Sequence, residues 1–243
     1  MDAPSVSGRD PLVAFDGVVK HHQALRPLRL ARLHVPAGAV ISLSGLDALA
    51  AEVLVNLLTA ASRPDEGDVR LFGRSTAEID DEASWLAMLD RLGLVTERAV
   101  LLAQCTVAQN LALPLTIQID PLAPDVRRRV ETLAADVGIP ADALDTPVGA
   151  AAPGLVQRVR LGRAVALDPS LVVAEHPSAT LPREEVAAFA RDLARLVTAR
   201  GAALLAVSVD REFTAALGGT ALRVNPATGD VSRGGLLARL GLR

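Results

Sequence analysis

Apolar and polar positions alternate over 12–19 and apolar ones crowd together over 28–35, and each pattern predicts a strand. Pro36-Ala37-Gly38 then marks a turn, and the short apolar run 40–44 predicts a strand buried on both faces. After Gly45 an alanine- and leucine-rich stretch over 50–61 reads as a helix. The turn Arg63-Pro64-Asp65-Glu66-Gly67 leads into a strand over 68–72. An amphipathic helix over 80–91 follows, carrying the lone Trp85, and then a strand over 92–95. From 97 to about 166 the pattern is helical and interrupted by prolines, with helices near 107–113, 124–137 and 155–166. From 171 the alternation returns: strand 171–174, helix 183–199, strand 203–208, a short helix, and a terminal strand near 221–224. Alternating strands and helices imply a mostly parallel sheet covered by helices, here interrupted by a helical insert.

Composition narrows the function classes. The chain has 243 residues, half of them hydrophobic, and a formal net charge of -3. Its basic residues are spread out, and the one short run, Arg127 to Arg129, reads as a solvated helix face. No nucleic-acid footprint is expected. The single Cys105 excludes an intramolecular disulfide and fits a reducing compartment. No apolar run approaches the roughly 20 residues of a membrane span, and the start, MDAPSVSGRD, lacks a signal-peptide pattern. The expectation is a cytoplasmic protein, or one peripheral at the inner face of the membrane.

The strand–glycine–helix context at Gly45 is where a phosphate-binding loop, G-x-x-x-x-G-K-[ST], would stand. The glycines of such a loop let backbone N–H groups wrap the phosphates, while its lysine reaches their oxygens and its hydroxyl binds Mg²⁺. Here the second glycine is Ala50, the lysine is Ala51, and the hydroxyl positions are Glu52 and Val53. Ala48 adds a further methyl group. Lys20 is the only lysine in the chain, so no shifted alignment restores the cation. Two placements stand open for the acids of this loop. Asp47 or Glu52 caps the helix and fills the anion site from within, or Glu52 points to solvent.

Beyond this loop, the order and spacing of segments from about 12 to 231 resemble the nucleotide-binding subunit of an ATP-binding-cassette (ABC) transporter. The stretches that carry the resemblance are "PAGAVISLSG", "RPDEGDVRLFGR", "TVAQNLALP" and "VQRVRLGRAVALDPSLVVAEHPSATLP". The resemblance implies an α/β fold of the P-loop NTPase type: a mostly parallel sheet, an antiparallel β subdomain and an inserted helical subdomain. It implies one nucleotide-binding domain over 1–243, with core and β subdomain over about 10–96 and 167–234 and the helical subdomain over about 97–166.

The same resemblance places the family's glutamine on Glu97 and its Walker B Asp-Glu pair on Glu175 and His176. It places the switch histidine on Val209 and the L-S-G-G-Q signature on Ala151 to Leu155, with Ala152, Pro153 and Gly154 at the phosphate-facing positions. An adenine-stacking residue falls on His21 or His22. At nearly every chemical position the side chain departs from the family pattern. His176, as a lone histidine, is expected to be a satisfied or surface residue rather than a base, and no metal site is expected. The leading expectation is a cassette without catalysis and without a cofactor, acting as a structural or regulatory partner of a membrane permease subunit or of a second, active cassette. A homodimer is also open. Two alternatives remain: a divergent subunit that binds and hydrolyses Mg-ATP, and a sensor that reuses the vacant cleft.

Overall fold

The computed structural model describes residues 11–234; the leading segment read above for a signal peptide lies outside them. In chain order the strands and helices are β1 (Val13–Lys20), β2 (Leu28–Val35), β3 (Val40–Ser44), α1 (Ala48–Leu58), β4 (Glu66–Leu71), β5 (Arg74–Ser75), α2 (Glu82–Leu89) and β6 (Leu92–Val95). The helical stretch supplies α3 (Val107–Ala112), α4 (Pro124–Asp136) and α5 (Pro153–Val165). The chain then runs through β7 (Leu171–Glu175), α6 (Arg183–Ala199), β8 (Ala203–Val207), α7 (Arg211–Leu217), β9 (Thr220–Val224) and β10 (Val231–Arg233).

Two sheets result. One is antiparallel, in the order β2-β1-β4-β5, with Phe15 paired to Leu33 on one side and Val69 on the other. The second has the order β10-β9-β3-β8-β7-β6 and is parallel except at its β10 edge. Its central strands β3, β8 and β7 are mostly apolar, β8 wholly so, because helices or the other sheet cover both faces. β8 shows the division of the core. Leu204 and Ala206 belong to the cluster built with α3, α4, α5 and α6, around Leu111, Leu161 and Phe189. Ala203, Leu205 and Val207 belong to the cluster that holds α1 against the antiparallel sheet, around Phe15, Leu30, Leu54 and Leu57. Each such leucine or phenylalanine contributes about 1.5–3 kcal/mol by leaving water.

Element boundaries differ from the pattern reading by small, explicable amounts. α1 starts at Ala48 rather than 50 because Asp47, extended at φ -76 and ψ 177, caps it, and the helix stops before Ala60, whose φ is +54. β5 and β10, two and three residues long, carry no legible alternation. Trp85 is half-buried and its Nε1–H donates to the carbonyl oxygen of Thr59, 2.9 Å away, which ties α2 to the C-terminal end of α1. Among the described residues no helix is long and apolar enough to cross a membrane.

The helical stretch meets the parallel sheet by a close approach of backbones. Gly93 in β6 lies against the Ala164 carbonyl of α5, and a Cβ there would overlap that carbonyl and stand 3.0 Å from the Pro169 ring. Because backbone cannot move aside as a flexible side chain can, Gly93→Ala is expected to lower the unfolding free energy by about 1–3 kcal/mol. A urea titration of the two proteins checks this, and an unchanged midpoint would mean that α5 does not press on β6.

Candidate functional site

β3 ends at Ser44, and the chain turns into α1 through Gly45, whose φ of +93 and contact with the Val224 carbonyl leave no room for a Cβ. Asp47 then caps α1, its Oδ1 accepting from the Ala50 N–H at 2.8 Å. The end of the helix that attracts anions thus holds a carboxylate of the chain itself. Ala51, on which the loop pattern places the lysine, is fully buried in the core beneath α1, beside buried Val53. Ala48 is exposed and Ala50 half-buried.

Glu97, on which the resemblance places the family's glutamine, is exposed, and the neighbouring Arg98, itself partly exposed, reaches the acids at the ends of β7 and α1. The Arg98 guanidinium donates from Nη2 to Glu175 Oε2 at 2.8 Å and from Nε to the same oxygen at 3.2 Å. Its Nη1 lies 3.3 Å from Glu52 Oε1 and 3.3 Å from Asn56 Oδ1. Thr96 Oγ1 also donates to Glu175 Oε2, at 2.8 Å, and accepts from the Arg98 N–H at 3.2 Å. Glu52 therefore neither caps the helix nor simply faces solvent; it flanks a fixed cation. Glu175, with a side chain only 11% exposed, is the member of the cluster that most needs this partner.

His176 follows Glu175 with a φ of +43, and its N–H donates to the Val207 carbonyl at 2.9 Å. The expectation of a satisfied or surface histidine is corrected: the residue is half-buried and its buried Nε2 has no partner among the described residues. Val209, on which the resemblance places the switch histidine, is 65% exposed. Beside it Asp210 caps α7 through the Glu212 and Phe213 N–H groups. Asp210 also accepts from Ser178 Oγ at 3.0 Å and pairs with Arg183 at 3.3 Å, which joins the segment after β7 to the segment after β8. Burial alone would raise the Asp210 pKa. The Phe213 amide, the Ser178 hydroxyl, the Glu212 amide and the Arg183 charge outweigh it and hold the carboxyl below its ordinary 3.8.

Ala152 starts α5 without a side-chain cap, Pro153 is its first residue, and buried Gly154 lies against the carboxylate of Glu185 from α6. A second helix start is thus faced by an acid of the same chain. On the other side of the loop, Lys20 Nζ pairs with Asp65 at 2.9 Å, and the His21 N–H donates to the same carboxylate. Those two donors hold Asp65 below the usual carboxylate range. His21 is exposed, whereas His22 lines a cleft of about 510 Å³ with Arg26, Arg29, Gly45, Asp47 and Ala50. Of the two histidines, His22 is the one beside the loop.

These residues do not fit a magnesium-triphosphate complex. A guanidinium stands between Glu52 and Glu175, a carboxylate caps α1, and a buried methyl stands where a lysine would be needed. Among the described residues no cluster of three or more His, Cys, Asp or Glu could hold a metal ion. Arg98, Asn56, Thr96 and Glu185 were not legible as site residues, since nothing local distinguishes them from surface polar residues. The one available signal was an arginine directly after an acid at the end of a strand.

Comparison with known proteins matches residues 28–179 to the family described as ABC transporter. The chain is 30% identical to the lipoprotein-releasing system ATP-binding protein LolD of Alcanivorax borkumensis, over 79% of this chain and 83% of that one. It is 29% identical to the LolD of Chromohalobacter salexigens, over 74% of this chain and 77% of that one. It is also 30% identical to the methionine import ATP-binding protein MetN 2 of Paraburkholderia xenovorans, over 77% of this chain but only 51% of that longer protein. Among solved structures, the fold is similar to the ATP-binding cassette MJ0796, seen as a dimer bound to ADP and Pi, with a TM-score of 0.74, 19% identity and coverage of 91% and 98%. It is also similar to cbiO1 of Clostridium perfringens, with a TM-score of 0.77, 15% identity and coverage of 93% and 89%.

Two outcomes are expected from this geometry. Arg98→Ala should lower the unfolding free energy by about 1–3 kcal/mol, most of it from the charge-assisted bonds to Glu175, since the exposed pair with Glu52 adds little. Arg98→Lys should recover part of the loss, and chemical denaturation of the three proteins reads both effects. Asp210 has a lowered folded pKa, so its charge stabilises the protein fully above about pH 4 and loses that effect as the pH falls below 3.8. Asp210→Asn keeps a capping side chain. The stability gap between wild type and this variant should therefore be constant near neutrality and close in acid; a gap that widens in acid would reverse the assignment.

Proposed function

Since the chain belongs to the ABC transporter family, we propose that it is a cassette subunit that acts by docking to a membrane permease or to a second cassette, without hydrolysing ATP itself. The observation that carries this reading is the Arg98 guanidinium between Glu52 and Glu175. A cation fixed there by the fold competes with any soluble cation for the same carboxylates. It also leaves no open oxygen cluster for a metal to orient phosphates.

Electrostatics at the two helix starts supports the same reading. Phosphoryl transfer relies on positive potential and preorganised donors around the transferred group. Here the α1 start carries Asp47 and the α5 start faces Glu185, so each presents a negative charge where a phosphate would need a donor. Charge repulsion at α5 extends the reading to a paired cassette, because a partner's nucleotide approaching that helix would meet the same acid. Val209 offers no hydrogen bond, and the Nε2 of His176 is buried. What such a subunit retains is its surface, including the segment after β6 on which Val100 is 74% and Leu102 41% exposed.

A second reading is favoured by the relatives, which are named as ATP-binding proteins of lipoprotein-releasing and methionine-import systems. On that reading this chain is a divergent ATP-binding and ATP-hydrolysing subunit, and the Arg98 cluster opens when nucleotide arrives.

The two readings part on one measurement. Steady-state phosphate release with Mg-ATP is expected to stay at the level of a protein-free blank, with no saturable ATP binding at micromolar concentrations by calorimetry. Turnover that is abolished by Glu175→Gln would establish the second reading instead. Co-purification with a permease or an intact cassette tests the docking role directly.

A further inference from the structure

The cleft between the β1–β2 connection and the α1 start is lined by charges of both signs. Its volume of about 510 Å³ lies within the roughly 300–1,000 Å³ typical of small-molecule pockets. Arg26 and Arg29 stand on one wall and Asp47 on another. Among the described residues none of the three has an ion-pair partner, and although they line one cleft they do not reach one another. Asp47 uses Oδ1 to cap the helix, which leaves its second oxygen without a donor. Arg29 is half-buried, where an unpaired guanidinium is costly, and the buried Nδ1 of His22 has no partner either. The same cleft is also lined by apolar residues, fully exposed Leu25, buried Leu46 and Pro226.

Opposite charges that line one cleft without meeting are complementary to a ligand carrying both signs, separated by an apolar body. We infer that this cleft binds a small dipeptide-like zwitterion, with its carboxylate on Arg26 and Arg29 and its ammonium on Asp47. Arginine forks suit a carboxylate. A triphosphate would instead bring like charge against Asp47 at the α1 start. The inference goes beyond the docking role and rests on the premise that the cleft no longer serves a triphosphate.

The test is calorimetric titration of the full chain with leucyl-leucine, N-acetyl-leucyl-leucine and leucyl-leucinamide. The free dipeptide carries both charges, and each blocked form carries one. Saturable binding is expected for leucyl-leucine and should weaken by about tenfold or more when either end is blocked, the scale of one lost charge-assisted hydrogen bond. Arg29→Gln and Asp47→Asn should weaken it similarly, and the asparagine keeps the helix cap so that folding is preserved. No saturable binding of leucyl-leucine up to millimolar concentration overturns the proposal. So does equal binding of the blocked peptides, or binding indifferent to both variants. Phosphate release is read separately: turnover removes the non-hydrolytic reading, while failed peptide binding without turnover removes only this one.

Discussion

A single guanidinium decides how the two halves of the site relate. Arg98 leaves the end of β6, crosses to the end of β7 at Glu175, and reaches α1 at Glu52 and Asn56. Three elements distant in sequence meet at one cation, and the acids that converge there would repel one another without it. The Glu175 carboxylate ends a strand whose other four residues are buried and is itself only 11% exposed, so losing its partner leaves a poorly solvated charge. Charge compensation at this point therefore fixes the start of the chain's long helical stretch against the core. Further along, Arg163 donates to the Val100 carbonyl and buried Asn110 bonds the backbone of Leu102, Cys105 and Thr106.

Around that point the chain repeatedly supplies from within what a charged ligand would otherwise supply. Asp47 occupies one helix start, Glu185 faces another, and Arg98 stands between carboxylates. Each replacement has an ordinary structural rationale: a cap, a packed acid, an ion pair. Together they set charges of the chain itself at both helix starts and between two of its strand and helix ends.

Most of the architecture was legible in the sequence because it depends on periodicity. Buried parallel strands are apolar on both faces, as in β8 and in β7 up to its terminal Glu175, and the 17-residue α6 shows a clear helical repeat. Helix boundaries failed by a turn at most, as at α1, where the capping acid lies before the alanine-rich run that drew attention. The site was legible only as a set of departures. Glu97 and Arg98 are adjacent and both exposed, and sequence gives no means of deciding which one joins the cluster; the tertiary position of Glu175, 77 residues from Arg98, draws in Arg98. His21 and His22 posed the same problem, and only the fold distinguishes them: His22 lines the cleft and His21 is exposed. Glu185 was invisible because its role depends on α6 crossing the start of α5.

Trp85 anchors the far end of the helix whose near end shapes the cleft, and the chain contains one tryptophan and no tyrosine. Its ultraviolet emission therefore originates almost entirely from one half-buried indole hydrogen-bonded to the Thr59 carbonyl, at the C-terminal end of α1. The protein carries its own optical probe of that helix: a change in emission wavelength reports a change in the hydration or docking of α1 and α2 without a label.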